Sequence, residues 1–210
     1  MDTTFRPHRN GAALIAAAAI MVGSVLAGCS RDTPPPGEFR GTPLERPLAK
    51  VDFALEDTDG RRFQFARGTR GMLTFLFFGY TNCPDVCPVH MSALGEVIDR
   101  LPFEARNRIA VVFVSTDPDR DSATRIREWL DSFGPSFIGL RGDIAEVNRI
   151  QEAYGLAPAG KGIDDGRGGY VVGHAAQILA FTPDGMARFA YPFGTRRDDW
   201  LHDIPKLLNP

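Results

Sequence analysis

Two cysteines four positions apart are the residues of this chain best suited to chemistry. Cys83 and Cys87 lie in the stretch TNCPDVCP, shortly after a largely apolar run over residues 72–78 that Gly79 ends and that is typical of a buried strand. Pro84 and Asp85 fit the first turn of a helix. Because residues i and i+4 share a helix face, both sulfur atoms would lie at the helix amino end, where free N–H groups and the helix dipole favour thiolates. Such a pair could bind a soft metal or exchange disulfides; an inert pair of core cysteines is the alternative.

The ligand requirements of soft metals narrow the choice of ion. Copper(I) prefers thiolates and accepts two or three ligands, whereas structural zinc requires four, and the chain has only 3 cysteines. A histidine would be the natural third ligand. His8 lies in the amino-terminal segment, His90 lies on the cysteine helix where it cannot easily chelate with both sulfurs, and His202 lies in a polar last helix. His174 lies at a loop-to-strand junction, and its spacing leaves open a metal ligand or an ordinary strand-end histidine.

The amino end has the pattern of an export signal. Arg6 and Arg9 precede residues 11–27, which are mostly Ala, Ile, Leu, Met and Val, as in a signal peptide. The segment ends in LAGC, closing on Cys29, which resembles the lipobox of bacterial lipoproteins, in which the cysteine is lipidated. We therefore predict a lipoprotein signal peptide over residues 1–28 and a lipid on Cys29. An uncleaved membrane anchor is the alternative.

Either anchor tethers the chain to a bacterial cell membrane, with its domain on the periplasmic or other extracytoplasmic side. Cys83 and Cys87 would there form a disulfide unless they are reduced or metallated. Residues 29–49 are rich in proline and poor in apolar side chains, which predicts a semi-rigid tether before a domain over residues 50–210. The formal net charge of −2 provides no basic surface for a nucleic-acid partner.

The remaining residues predict an α/β domain. Apolar runs over residues 72–78 and 109–114 indicate buried strands, and residues 89–101 between them have helical spacing. Strand, helix and strand in this order form a parallel unit with a right-handed crossover. A small hairpin precedes the unit, and two helices, a glycine-rich loop over residues 156–169, a second hairpin and a closing helix follow it. This is the thioredoxin-like arrangement: a central mixed sheet flanked by helices, here with an N-terminal hairpin extension.

An acidic segment, DPDRD, follows the second buried strand. Its carboxylates at Asp117, Asp119 and Asp121 could be mistaken for a hard-metal site. The proline and arginine between them favour a turn, with Asp121 or Ser122 capping the next helix.

Three motifs resemble those of the Sco/SenC proteins. They are FGYTNCPDVCP at residues 78–88, DPDRD at residues 117–121, and VGH at residues 172–174 with PDG at 183–185. The likeness extends from about residue 51 to the carboxyl end, and the cysteine motif is specific where a bare CxxxC would not be.

The resemblance implies a membrane-tethered copper protein that helps to assemble the dinuclear CuA centre of cytochrome c oxidase. It implies copper, as Cu(I) or Cu(II), held by Cys83, Cys87 and His174, and the CuA-bearing subunit as a partner, with other copper carriers or thiol reductases as further partners. The family usually has an aspartate just before the histidine, and this chain has Gly173. The missing carboxylate could loosen the orientation of His174 or alter the charge near the metal.

Two functions follow, and they are compatible. The first is a copper carrier, a metallochaperone rather than an enzyme. The second is a thiol-disulfide oxidoreductase that reduces the oxidase subunit, or a peroxiredoxin-like thiol enzyme. In the second case Cys83 would attack and Cys87 would resolve the mixed disulfide. A carrier needs the histidine, whereas a pure reductase does not.

Overall fold

A mixed β-sheet with helices on both faces forms the domain. The computed structural model describes residues 1–2, 38–164, 166 and 169–209. Its strands are β1 (Thr42–Ala49), β2 (Ala54–Asp57), β3 (Arg62–Gln64), β4 (Leu73–Gly79), β5 (Ile109–Ser115), β6 (Ile138–Arg141), β7 (Gly160–Asp164), β8 (Tyr170–Gly173), β9 (Ile178–Phe181) and β10 (Met186–Tyr191). Its helices are α1 (Phe65–Gly68), α2 (Val86–Asp99), α3 (Phe103–Arg106), α4 (Ala123–Asp131), α5 (Ile144–Ala153) and α6 (Arg197–Leu207). The predicted signal peptide, Cys29 and the first part of the predicted tether lie outside the described residues.

The sheet has eight strands in the order β1-β10-β9-β4-β5-β6-β2-β3. Strands β4, β5 and β6 are parallel neighbours, because α2 and α4 return the chain to the start of the next strand. The other pairs are antiparallel, and β2 with β3 forms the amino-terminal hairpin. The predicted thioredoxin-like arrangement is thereby confirmed. Hairpin β7–β8 is a separate two-stranded sheet.

Successive side chains of the central strands point to opposite faces of the sheet, and the core therefore has two layers. On β4, Phe75 and Phe77 belong to one layer, and Leu76 and Phe78 belong to the other, because successive side chains of a strand point to opposite faces. Helices α2, α4 and α6 cover the first face, and α1 and α5 cover the second. Every residue of β4 is therefore buried, which accounts for the apolar run in the sequence.

The predicted tether is a strand from Thr42 onward, which corrects the expected domain start at residue 50. Strand β1 pairs with β10 at the edge of the sheet, with a register shift between Pro43 and Leu48. Prolines are tolerated there because one side of an edge strand makes no ladder hydrogen bonds. The N–H groups of Arg40 and Gly41, just before β1, donate to the Asp203 carboxylate at 2.8–3.0 Å. Contacts distant in sequence thus make this segment part of the domain.

Two further expectations are corrected. Helix α2 begins at Val86, later than predicted, because Asp85 as its N-cap has φ −144° and ψ −74°, outside the helical region. Within the predicted loop over residues 156–169, strand β7 pairs with β8.

Of the two candidate caps, Ser122 caps α4 by accepting the N–H of Arg125. No helix in the described part of the chain is long and apolar enough to cross a membrane.

Candidate metal centre

The two cysteines lie where the chain turns from β4 into α2. Cys83 lies in the turn, and its N–H donates to the carbonyl oxygen of Tyr80 at 3.2 Å. Cys87 lies in the first turn of α2, and its N–H donates to the Cys83 sulfur at 3.4 Å, because amino-terminal N–H groups of a helix have no partner within the helix. Both are buried free thiols: Cys83 is 9% exposed and Cys87 0%.

His174 approaches the cysteines from the end of β8. Its Nε2 atom lies 3.5 Å from the Sγ atom of Cys87, and its Nδ1 atom lies 3.0 Å from the carbonyl oxygen of Ala175. The ring packs against the rings of Phe77 and Tyr80 at steep angles. In the tautomer that carries its proton on Nδ1, the carbonyl accepts that proton's hydrogen bond and the Nε2 lone pair points at the sulfurs.

The other described histidines have different contacts. His90 is buried, and its Nε2 atom lies 2.9 Å from the carbonyl oxygen of Ala176; burial lowers its pKa. It therefore joins α2 to the connection that follows His174. His202 is half-buried rather than free at the surface: Nδ1 lies 2.7 Å from Asp203 and Nε2 lies 3.1 Å from Lys206.

The structure brings Cys83, Cys87 and His174 together. Among the described His, Cys, Asp and Glu residues, these three form the group suited to a metal, with ligand atoms within 4.8 Å of one another. The sequence model of the SCO1/SenC family matches residues 42–209. The chain belongs to the SCO1/SenC family. The resemblance found in the motifs is confirmed, and the match includes strand β1.

Similar proteins with solved structures cover most of this Sco/SenC chain. Apo Sco1 from Thermus thermophilus is 34% identical with a TM-score of 0.70, and the match covers 81% of this chain and 97% of that one. Bradyrhizobium japonicum ScoI, solved with copper bound, is 29% identical with a TM-score of 0.67, covering 77% and 99%. A Stutzerimonas stutzeri protein named for copper binding is 30% identical over 80% of this chain and 79% of its own length. By contrast, the chain spans about half the length of several mitochondrial relatives, 44% to 55%.

The two thiols of this Sco/SenC domain are unequal. A hydrogen bond from Cys87 holds the pKa of Cys83 well below its usual value, and contacts with His174 and with the N–H groups of Cys87 and Asp85 add to this effect. Burial raises the pKa of Cys87, and the neighbouring Cys83 raises it further. The reduced pair therefore holds Cys83 as a thiolate and Cys87 as a thiol, the order that thiol exchange would require.

A buried carboxylate fixes the turn that carries Cys83. Asp121 is 0% exposed and accepts hydrogen bonds from the Thr81 N–H and hydroxyl, at 3.1 and 2.6 Å, and from the Ser115 hydroxyl at 2.6 Å. Sequence reasoning had offered Asp121 as a helix cap and missed this role. The contact with Thr81 spans 40 positions, so local spacing could not reveal it. The place of Asp121 in the DPDRD motif was the only signal in the sequence.

The donor set fits a soft metal ion. Two sulfurs and one imidazole suit copper, whereas structural zinc requires four ligands, and the described acidic side chains do not join the group. At Gly173, a Cβ atom would lie 3.9 Å from its nearest neighbour, the carbonyl oxygen of Gly160. The position thus has room for a Cβ atom, and with glycine there the His174 ring is oriented by Ala175 and by aromatic edges.

Proposed function

We propose that this protein is a membrane-tethered copper metallochaperone that assists assembly of the CuA centre of cytochrome c oxidase. The observation that carries the proposal is the group of two sulfurs and one imidazole nitrogen within 4.8 Å of one another. The chain's own residues would hold copper(I) through Cys83 and Cys87, and His174 would complete the site for copper(II), which favours imidazole nitrogen. The copper-bound ScoI relative supports copper as the ion.

Carrier function requires that the site both hold and release its ion. Three protein ligands leave copper open to a thiolate or imidazole of an acceptor, so that transfer can proceed by stepwise exchange of ligands. We propose the CuA-bearing subunit as that acceptor, on the strength of the family motifs. Lipidation of Cys29 would hold the domain at the extracytoplasmic face of a bacterial membrane. At that face the domain would have access to the CuA-bearing subunit.

A second candidate function is reduction of the cysteines of the same subunit. The thiolate at Cys83 and the thiol at Cys87 favour it. Cys83 would attack the subunit's disulfide and release one of its thiols. Cys87 would then attack the mixed disulfide, which yields a Cys83–Cys87 disulfide and the fully reduced subunit.

Copper transfer separates the two candidates. The reduced full-length chain in detergent is titrated with copper(I) and copper(II), and the loaded chain is mixed with the metal-free soluble domain of the CuA subunit while the CuA absorption bands are recorded. A carrier transfers copper to the reduced subunit domain, and His174→Ala impairs that transfer. Reduction of an oxidised subunit domain by the copper-free chain, without any copper transfer, would instead establish the reductase. A chain that binds neither ion would refute the carrier.

A further inference from the structure

The position of His174 depends on a hairpin that lies outside the main sheet. His174 directly follows β8, and β8 pairs with β7 in a separate two-stranded sheet. By contrast, Cys83 lies on the connection between β4 and α2, and Cys87 lies in the first turn of α2, next to the central strands of the eight-stranded sheet. On its carboxyl side, three residues separate His174 from β9 of the main sheet, and His90 of α2 contacts the Ala176 carbonyl oxygen there. On its amino side, the described part of the hairpin shares no ladder with the main sheet, so contacts with side chains must hold β8 against the domain.

One group of these contacts involves Tyr170, the first residue of β8. Its hydroxyl donates to the Asp117 carboxylate at 2.7 Å, and the Arg120 guanidinium lies 3.7 Å from the centre of its ring. Arg120 also forms an ion pair with the other oxygen of Asp117, which is only 1% exposed. We call Asp117, Arg120 and Tyr170 the Tyr170 cluster. On β7, Lys161 forms a more exposed ion pair with Asp119.

The Tyr170 cluster continues to the imidazole itself. The Arg120 guanidinium lies 5.7 Å from the centre of the Tyr80 ring, and the Tyr80 ring lies 5.6 Å from the His174 ring at an interplanar angle of 81°. Arg120 thus lies between Tyr170, which begins β8, and Tyr80, which contacts His174. Arg120 thereby supports β8 and Tyr80 together, while Phe77 and the Ala175 carbonyl oxygen contact the His174 ring directly.

The same acidic segment also holds the other half of the site. Asp117 and Arg120 contact the hairpin, while Asp121 binds the turn that carries Cys83 through Thr81. Residues 117–121 therefore connect the imidazole and the thiolate to one rigid element, the end of β5. Directed hydrogen bonds, buried at Asp121 and partly buried at Tyr170, give this connection a defined length.

We propose that Tyr170, held by Asp117 and Arg120, is a positioning residue for His174. The proposal rests on the proposed copper function, because it assigns how the third ligand of that site is held. Tyr170 does not touch the ligand atoms; it fixes β8, and β8 carries the imidazole. A hydrogen-bond partner of a ligand typically contributes about 10- to 100-fold to metal affinity, and Tyr170, which acts through β8, should lie at the lower end of that range.

The proposal predicts a selective loss. Copper(I) is held by two sulfurs, one on the turn before α2 and one on α2 itself. The Tyr170 cluster does not carry either sulfur. Copper(II) requires the imidazole in place. Weakening the cluster should therefore reduce copper(II) binding while it leaves copper(I) binding and disulfide exchange nearly unchanged, a pattern that general destabilisation would not produce.

Tyr170→Phe in the full-length chain in detergent tests this, because it removes the hydroxyl and keeps the ring beneath Arg120. Tyr191→Phe is the matched control: its hydroxyl also donates to a buried aspartate, Asp203, at 2.7 Å. We expect Tyr170→Phe to weaken copper(II) binding by about tenfold or more, with an altered copper(II) spectrum and copper(I) affinity within about twofold. Tyr191→Phe should leave both affinities unchanged. A Tyr170→Phe chain with wild-type copper(II) affinity and spectrum would overturn the proposal.

A metal-free measurement separates this proposal from the proposed function. Long-range proton–nitrogen correlation spectra of the reduced chain report the tautomer of the His174 ring. The contact with Ala175 predicts a proton on Nδ1 in the wild type, and Tyr170→Phe should shift the ring towards a mixture of tautomers. Unchanged ring signals would overturn the positioning role. A wild-type chain that binds no copper would refute the proposed function alone, since the ring spectra decide the role of Tyr170 without a metal.

Discussion

The sulfur of Cys87 lies 2.7 Å from the point that a Cβ atom on Gly79 would occupy. The same Cβ would lie 3.0 Å from Phe77 and 3.1 Å from Phe113. Glycine at the end of β4 therefore makes room for the buried thiol, and the packed rings around it leave the sulfur little space to move. This explains why a glycine interrupts the apolar run immediately before the cysteine motif.

Gly79→Ala should displace the Cys87 sulfur and weaken copper binding. Overpacking of this kind costs about 1–3 kcal/mol, so we also expect a lower free energy of unfolding. Gly160→Ala is the matched control, because a Cβ there meets nothing within 4 Å. Urea unfolding and copper(I) titration check both variants. Wild-type stability and affinity in Gly79→Ala would show that the site tolerates the extra methyl group.

His174→Ala should separate the two oxidation states of copper. Two thiolates still hold copper(I), whereas copper(II) loses the imidazole that it favours, and we expect its affinity to fall by about tenfold or more. Disulfide exchange should persist because both sulfurs are retained. His202→Ala, which alters a histidine bound to Asp203, is the control and should bind both ions normally. Equal copper(II) binding by His174→Ala and wild type would remove His174 from the site.

The reactivity of Cys83 should depend little on pH. Its pKa is lowered from 9.0 to about 3, so the thiolate persists through the range from pH 5 to 8. Alkylation by iodoacetamide, located by mass spectrometry, should then proceed at a nearly constant rate, whereas an ordinary cysteine gains about tenfold per pH unit below its pKa. Cys87→Ala removes the largest cause of the shift and should restore a rising rate. A wild-type rate that already rises tenfold per unit would contradict the thiolate assignment.

The same shift has a consequence for stability. Because the folded pKa of Cys83 lies below its unfolded value, the stabilisation from this group is fully present above pH 9 and is lost as the pH falls through about 3. The reduced chain should therefore lose more stability on acidification than Cys83→Ser, which has no thiolate to protonate. Urea unfolding of both chains at a series of pH values checks the difference; identical slopes would contradict it.

Residues before position 50 should be required for full stability. The Asp203 carboxylate, 0% exposed, accepts the N–H groups of Arg40 and Gly41, and hydrogen bonds to charged groups contribute about 1.5–3 kcal/mol each. A fragment of residues 50–210 also loses strand β1, so it should be less stable than residues 38–210 by at least about 3 kcal/mol. Asp203→Asn in the longer fragment should cause part of this loss. Equal urea midpoints for the two fragments would show that β1 contributes nothing.

Local patterns were sufficient to predict the central part of the fold. The apolar runs that became β4 and β5, and the helical spacing between them, predicted a parallel unit with the cysteines after its first strand. These features are readable because alternation and helical periodicity follow from backbone geometry within a few residues. Helical spacing also predicted that the two sulfurs lie close together, but Cys83 lies in the turn before α2, and its sulfur meets Cys87 by accepting the N–H of that residue.

Tertiary structure decided what depends on residues distant in sequence. Spacing left His174 open between ligand and strand end; the fold brings it to Cys87 across 87 positions. It turned a proline-rich segment into strand β1, because Asp203 and the free edge of β10 receive it. It also made the two thiols unequal, since burial and hydrogen bonds, rather than residue type, set their pKa values. Such contacts leave no periodic trace in the sequence, because each pairs two residues whose separation along the chain is arbitrary.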